Sequence, residues 1–426
     1  MTERLAILGG RPAVRRPLQP FSSIGPDERE AVLRFLDGGG SLSGFHGSAQ
    51  PTFFGGPEVR AFESAWCDYF GVAHAVSVNS ATSALIAAMG AVAIGPGDEV
   101  IVPPTTMTST AIAPLFYGGI PVFADIDPDY FCLDPASVER TITPMTRAII
   151  AVNLFGHPAA LARLREIADR HGIYLVEDNA QAVLAEENGR RAGTIGHIGI
   201  YSLNVHKHIQ TGEGGVLVTA DAELAKRLQL IRNHGENVVD WLNVKDLTDI
   251  VGFNFRMTEL TAAVARAQLA HVEPLVERVE SIAQRLTAGI ANLPGLTPPA
   301  VRSGCRHNYY MWSMKFDADT IGTSRALFSR ALAAEGFPNA EGYVRPIYLI
   351  PMFQQRIAIG GNSFPFTLRD RHYPPGLCPV AEAMHSRELL QFQPVSWLVE
   401  DDQVDMLIDA IRKVHAQVAA LTQAAQ

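Results

Sequence analysis

The chain has 426 residues, 47% of them hydrophobic, with 35 lysines and arginines against 44 aspartates and glutamates, a net charge of −9. That length and apolar content accommodate two or three folded domains with a large core and exclude a linker or tail. The acidic balance and the lack of a basic run argue against a nucleic-acid partner, and no apolar run reaches the ~18 residues expected of a membrane span. The opening "MTERLAILGG" lacks the basic-then-apolar layout of a signal peptide, so a cytoplasmic location is expected.

From about residue 74 to 220, short apolar runs alternate with amphipathic segments: "HAVSV" at 74–78, "EVIV" at 99–102, "PVFA" at 121–124, "RAIIAV" at 147–152, "IYLV" at 173–176, "IGIYS" at 198–202 and "VLVT" at 216–219. This alternation predicts an α/β domain around a mainly parallel sheet. In "DAELAKRLQLIRNHG", Asp221 can cap a helix whose Leu224, Leu228 and Ile231 share a face, and Gly235 supplies a stop. A further helix is expected to open at Thr258 and to bury Leu260, Ala263, Val264 and Ala267. The change of texture there places a large domain over 25–255 and a smaller C-terminal domain over 256–426, with residues 1–24 packed on the assembly. Residues 350–379, rich in Gly, Pro and aromatics without a clean period, predict a long ordered loop and a candidate for substrate choice. The last helix carries Val404, Leu407, Ile408, Ile411 and Val414 on one face. Cys67, Cys132, Cys305 and Cys378 are too sparse and too far apart for a metal or disulfide framework, so no metal is expected.

Ligands of parallel α/β sheets bind beyond the carboxyl ends of the strands, and four such ends carry chemistry. After "HAVSV", Ser80, Ala81 and Thr82 open an alanine-rich helix whose free N–H groups suit a phosphate, although a plain Ser or Thr cap reads the same way. The loop "VPPTTMTSTA" contributes Met107 and hydroxyls and says little alone. "YLVEDNAQA" puts Asp178 just past a buried strand, with Gln181 three residues on. A carboxylate there is either a helix cap or the partner of a cation. In "SLNVHKHIQTGEGG", Ser202 ends a strand and Lys207 follows between two histidines. A phosphate at the helix start, a cationic ring nitrogen facing Asp178 and a carbonyl in reach of Lys207 are together the groups of pyridoxal 5′-phosphate. A desolvated lysine near other charges is a Schiff-base nucleophile. No G-x-G-x-x-G follows the first strand, which removes the dinucleotide-binding alternative.

The series "NSATSAL", "GPGDEVIVPP", "PVFADIDP", "LFGHPA", "EDNAQA", "GIYSLNVHKHIQTGEGG", "RNHGE" and "GFNFRMTEL" resembles the DegT/DnrJ/EryC1/StrS aminotransferases from about "GGRP" to "CPVAEAM". The resemblance implies an α/β fold of the fold type I, aspartate aminotransferase-like class. It also implies transfer of an amino group from glutamate or glutamine to a nucleotide-linked keto-sugar or a keto-cyclitol, in secondary-metabolite or polysaccharide biosynthesis. Lys207 matches the Schiff-base lysine, Asp178 the partner of the pyridine nitrogen, and Gln181 the contact to the cofactor's 3′-hydroxyl. Ala81, Thr82 and Ser202 match the phosphate cradle. Asn254 matches an asparagine that reaches the phosphate of the neighbouring subunit, which implies a homodimer with shared active sites. Two positions depart from the family: Ala81 stands where glycine is frequent, and Met107 where an aromatic ring often stacks on the cofactor.

Alternation along an extended segment would place His206 and His208 on one side and Lys207 on the other. Tyr309, Tyr310 and Tyr348 resemble a family strand and loop near the substrate, although such rings are more often core. The competing functions are a dehydratase, disfavoured because the family's dehydratases carry histidine in place of the lysine, and a catalytically silent binding or regulatory relative.

Overall fold

The computed structural model describes residues 3–47, 50–235 and 238–425; Glu236 of "RNHGE" lies outside them. The apolar runs form one sheet of β1 (His74–Val78), β2 (Glu99–Val102), β3 (Ile120–Phe123), β4 (Thr146–Val152), β5 (Tyr174–Asp178), β6 (Ile198–Ser202) and β7 (Gly215–Thr219). The spatial order is β1-β7-β6-β5-β4-β2-β3. Only β7 runs against its neighbours; the remaining pairs are parallel. Helices cover both faces of such a sheet, which is why "EVIV" and "RAIIAV" read as continuous apolar runs instead of alternating ones.

Helix α1 (Pro26–Asp37) packs on the helix at Glu259–Ala270, while α2 (Pro57–Phe70), α3 (Ala81–Ala91), α4 (Leu161–His171) and α5 (Ala222–Arg232) pack around the sheet. The small side chains of "ATSALIAAMGA" allow α3 to be buried almost throughout. Asp221 caps α5 as expected, accepting the N–H groups of Glu223 and Leu224 at 2.7 and 3.1 Å. That helix ends at Arg232, three residues before Gly235.

Helix α6 (Glu259–Ala270) opens at Thr258 as expected, with its side chain accepting the Thr261 N–H, but its buried face is not the one expected. Glu259, Ala262, Ala263, Ala265, Gln268 and Leu269 are buried, while Leu260, Val264 and Ala267 are half-buried. The reason is polar. The Glu259 carboxylate accepts the N–H groups of Gly56 and Glu58 at 3.0 and 2.8 Å, so it caps the start of α2 and draws that face inward.

Helix α7 (Val272–Ile290) joins two apolar clusters. Val272 and Val276 lie with α2 and α6. Val279, Ile282, Leu286 and Ile290 lie in the cluster beneath a second, antiparallel sheet. That sheet has the order β8-β9-β11-β10, from β8 (Leu296–Thr297), β9 (Trp312–Phe316), β10 (Ala340–Glu341) and β11 (Leu389–Phe392). Helices α8 (Arg325–Ala334) and α9 (Asp401–Ala416) cover it, and Leu5, Val14 and Leu18 from the N-terminal segment join the same cluster.

Residues 350–379 are more than a loop. They include a short helix at Pro351–Gln354 and a 3-10 turn at Phe366–Leu368, and they bury Phe353, Phe366 and Tyr373 in the cluster of the large sheet. Aromatic content without periodicity here marks packing against the domain. Cys132 and Cys378 are buried, Cys67 and Cys305 half-buried, and all four are free. Among the described residues no helix is long and apolar enough to cross a membrane, and no cluster of three or more His, Cys, Asp or Glu is placed to hold a metal.

Candidate active site

The carboxyl ends of β1, β5 and β6 and the loop after β2 surround a cavity of about 270 Å³. Ala81, Thr82, Met107, Asp178, Gln181, Ser202 and Lys207 all line it. Asn254 does not; it is exposed and accepts the Arg256 Nε–H at 2.8 Å. None of residues 350–379 lines the cavity.

At one end stands the start of α3. Ser80 caps this helix by accepting the Ser83 N–H at 3.1 Å, and its carbonyl accepts the Ala84 N–H. The N–H groups of Ala81 and Thr82 remain free of partners among the described residues, at the positive end of an 11-residue helix. Ser202 lies opposite, at the end of β6. Gly215 opens the neighbouring strand, and a Cβ there would sit 2.8 Å from the Ala81 nitrogen; glycine lets β7 approach the helix start this closely.

At the other end, Asp178 is buried at the last position of β5. Oδ1 accepts the Ala180 N–H at 3.0 Å and Oδ2 accepts the Thr110 hydroxyl at 3.2 Å. Burial pushes its carboxyl above the usual range, against those hydrogen bonds and the attraction of Lys207. Among the described residues no lysine or arginine is close enough to form an ion pair with it. A buried carboxylate that keeps its charge needs a cation, and the cavity is where one fits.

Lys207 faces the same space. Its ammonium donates to Tyr310 Oη at 3.3 Å and lies 4.3 Å from that ring's centre. Burial pulls the ammonium down to about 8, with the Asp178 carboxylate pulling the other way. Far more free amine, the form that attacks a carbonyl, is therefore present near neutral pH than in an ordinary lysine, although the ammonium still predominates.

The histidines differ from the sequence expectation. The segment is a turn, in which the Lys207 N–H bonds the Asn204 carbonyl at 2.9 Å and the His206 N–H bonds Asn204 Oδ1 at 3.3 Å. Strand alternation therefore does not apply: His206 is exposed at the cavity mouth and His208 is buried behind the lysine. Burial and the neighbouring Lys207 draw the His208 imidazole down to about 3, so it is neutral. Of the three tyrosines, Tyr310 lines the cavity, Tyr309 stacks on His307 at 4.0 Å, and Tyr348 is core.

Tyr343 and Thr110 escape a sequence reading. Tyr343 Oη accepts from Gln181 Nε2 at 2.9 Å, while Gln181 Oε1 accepts the Phe155 N–H at 2.7 Å. These two bonds fix the amide at the cavity wall. The clue for Thr110 was the hydroxyl-rich loop; for Tyr343 no local signal exists.

The donor set passes a chemical test for pyridoxal 5′-phosphate: free helix N–H groups and a hydroxyl for a phosphate, a buried carboxylate lacking a cation, and a depressed lysine between them. An α/β sheet with these groups at its strand ends fits a vitamin B6-dependent transferase. The chain belongs to the DegT/DnrJ/EryC1/StrS aminotransferase family, whose profile matches residues 48–412, and it is an aminotransferase. It is 35% identical to the dTDP-3-amino-3,4,6-trideoxy-alpha-D-glucose transaminase of Streptomyces venezuelae, over 92% of this chain and 93% of that one. It is 32% identical to the L-glutamine:2-deoxy-scyllo-inosose aminotransferase of Streptomyces kanamyceticus, over 99% of each. Among solved structures it is similar to S. venezuelae DesV in complex with a ketimine intermediate, with a TM-score of 0.76 and 34% identity over 91% and 94% of the chains. DesI in the presence of its TDP-sugar product superposes with a TM-score of 0.80, at 30% identity over 98% of each.

Proposed function

We propose that the cavity holds pyridoxal 5′-phosphate on Lys207 and that the protein transfers an amino group from glutamate or glutamine to a keto-sugar or keto-cyclitol. The observation that carries this reading is Asp178, a buried carboxylate without an ion-pair partner among the described residues, in the same cavity as a depressed lysine. When bound, the cofactor supplies an aldehyde that condenses with amines and a ring that takes up an electron pair.

The chain's own residues then have separate tasks. The N–H groups of Ala81 and Thr82 and the Ser202 hydroxyl hold the phosphate, and Gln181, fixed by Tyr343 and Phe155, faces the 3′-hydroxyl. Asp178 keeps the ring nitrogen protonated. Met107, 56% exposed at the mouth, packs its polarizable sulfur on the ring face. Lys207 Nζ would accept the proton leaving the donor's Cα and hold it for return at the cofactor's C4′, with Tyr310 Oη as its hydrogen-bond partner. Asn254 serves the site of a second copy in a homodimer; its exposure outside this cavity supports that role. The substrate class is supported by relatives named for a dTDP-sugar and an inosose.

The test is to load the protein with the cofactor, convert it to the pyridoxamine form with glutamate or glutamine, and offer a panel of keto-sugars and keto-cyclitols. A product carrying a new amine by mass supports the reading. A product that has lost oxygen instead makes it a dehydratase, and failure to form pyridoxamine phosphate from any amino acid refutes catalysis.

A further inference from the structure

Adjoining the cofactor cavity, with which it shares Ala180, Gln181, Ser202 and Lys207, lies a second, smaller cavity of about 10 Å³ whose lining also includes Trp66 and His208. That volume matches the space that one water molecule occupies. Two of its lining side chains carry buried polar atoms with no hydrogen-bond partner, Trp66 Nε1 and His208 Nε2. Trp66 is 0% and His208 2% exposed.

The two orphans are complementary. The His208 ring is hydrogen-bonded to the backbone of Asn308 in a way that favours a ring proton. With Nε2 unpartnered, that bond belongs to Nδ1–H, donating to the Asn308 carbonyl. A neutral imidazole protonated at Nδ1 has a bare acceptor at Nε2, while an indole N–H can only donate. A single water in this cavity could accept from Trp66 and donate to His208.

The bridge reaches the active site through Asn308, which is itself buried. Its Nδ2 donates to the carbonyls of Gln181 and Val183 at 3.1 and 2.7 Å, and its Oδ1 accepts the Tyr310 N–H at 3.0 Å. Resting on the reading of Lys207 as the cofactor lysine, we propose that Trp66, one buried water and His208 form a positioning bridge that ties the Lys207 turn, through Asn308, to Gln181 and Tyr310. His208 and Trp66 are thus positioning residues that touch neither substrate nor cofactor.

Two measurements test this. A high-resolution structure of the holoenzyme places an ordered water between Trp66 Nε1 and His208 Nε2, and nitrogen-detected NMR finds His208 as the Nδ1–H tautomer. In Trp66→Phe an aromatic ring remains in the core but the indole N–H, the water's donor, is removed. Lys207 lines the same cavity, so a changed hydration there changes its solvation and moves the pH profile of the donor half-reaction. The titratable groups around Lys207 that such a profile reports on are Asp178, Tyr310, Tyr343, His206, His208 and Glu213. The turnover number falls by about two- to tenfold, the scale of one hydrogen bond. Absence of the water, an Nε2–H tautomer, or a Trp66→Phe enzyme with an unmoved pH profile each overturns the proposal. The water and the tautomer are read without any turnover, so they stand or fall separately from the aminotransferase assignment.

Discussion

Replacing Asp178 by asparagine separates function from folding, because the two are predicted to move in opposite directions. The carboxylate is buried and held by only the Ala180 N–H and the Thr110 hydroxyl, and its proton affinity is raised by desolvation. On the proposed reading it would face the ring nitrogen of the bound cofactor. Loss of a hydrogen bond to a charged group costs about 1.5–3 kcal/mol, so the half-reaction with the amino donor should slow by about tenfold to 150-fold. Without cofactor the sign reverses. A carboxyl whose folded affinity for the proton exceeds its unfolded value destabilises the fold increasingly as pH rises from about 4 through the raised value. Asparagine carries no such charge: its Oδ1 still accepts from Ala180, and Thr110 can turn its hydroxyl to accept from the amide. The cofactor-free variant is therefore expected to melt at or above the unmodified protein at pH 7, with the difference vanishing near pH 4. Thermal unfolding at the two pH values and single-turnover kinetics with glutamate provide the assay. An Asp178→Asn enzyme of normal rate, or one destabilised at pH 7 when cofactor-free, would refute the reasoning.

Further expectations concern the neighbours of that carboxylate. Cofactor uptake by the cofactor-free protein should rise with pH around the Lys207 value of about 8 and level off above it; an unperturbed lysine would place the rise above about 10. In Asp178→Asn that midpoint should move lower, since the carboxylate is what favours the ammonium. Tyr310→Phe keeps the ring beside Lys207 but removes the hydroxyl 3.3 Å from Nζ, and should slow proton transfer about two- to tenfold, measured with a deuterated donor. Gly215→Ala puts a methyl group 2.8 Å from the Ala81 nitrogen, so the helix start must shift. Equilibrium dialysis should find weaker cofactor retention; unchanged affinity would remove Ala81 N–H from the phosphate site.

Much of the site was legible because its signals are local. A strand that ends in Asp178, another that ends in Ser202, and an alanine-rich helix opening after a third can each be read within a dozen residues, and the sheet brings them to one edge. What escaped depends on long-range contact. Tyr343 meets Gln181 across 162 residues, and Tyr310, placed near the substrate only by resemblance, meets Lys207 across 103, with no periodicity to announce either contact. The α6 face was read from apolar spacing alone, which gives no weight to a carboxylate, whereas Glu259 is buried and caps α2. His206 and His208 were assigned by strand alternation in a segment that hydrogen-bonds as a turn. Residues 350–379 looked like a covering loop because their rings follow no period, yet those rings fill the core beside the large sheet.

The central claim is that one amine in this chain bonds covalently to the vitamin B6 aldehyde. Reducing the cofactor-loaded protein with borohydride, digesting it and mapping the modified peptide by mass tests this most directly. The account predicts a single phosphopyridoxyl group on Lys207, absent after Lys207→Ala. A label on any other lysine, or no label on a protein that still transaminates, would contradict it.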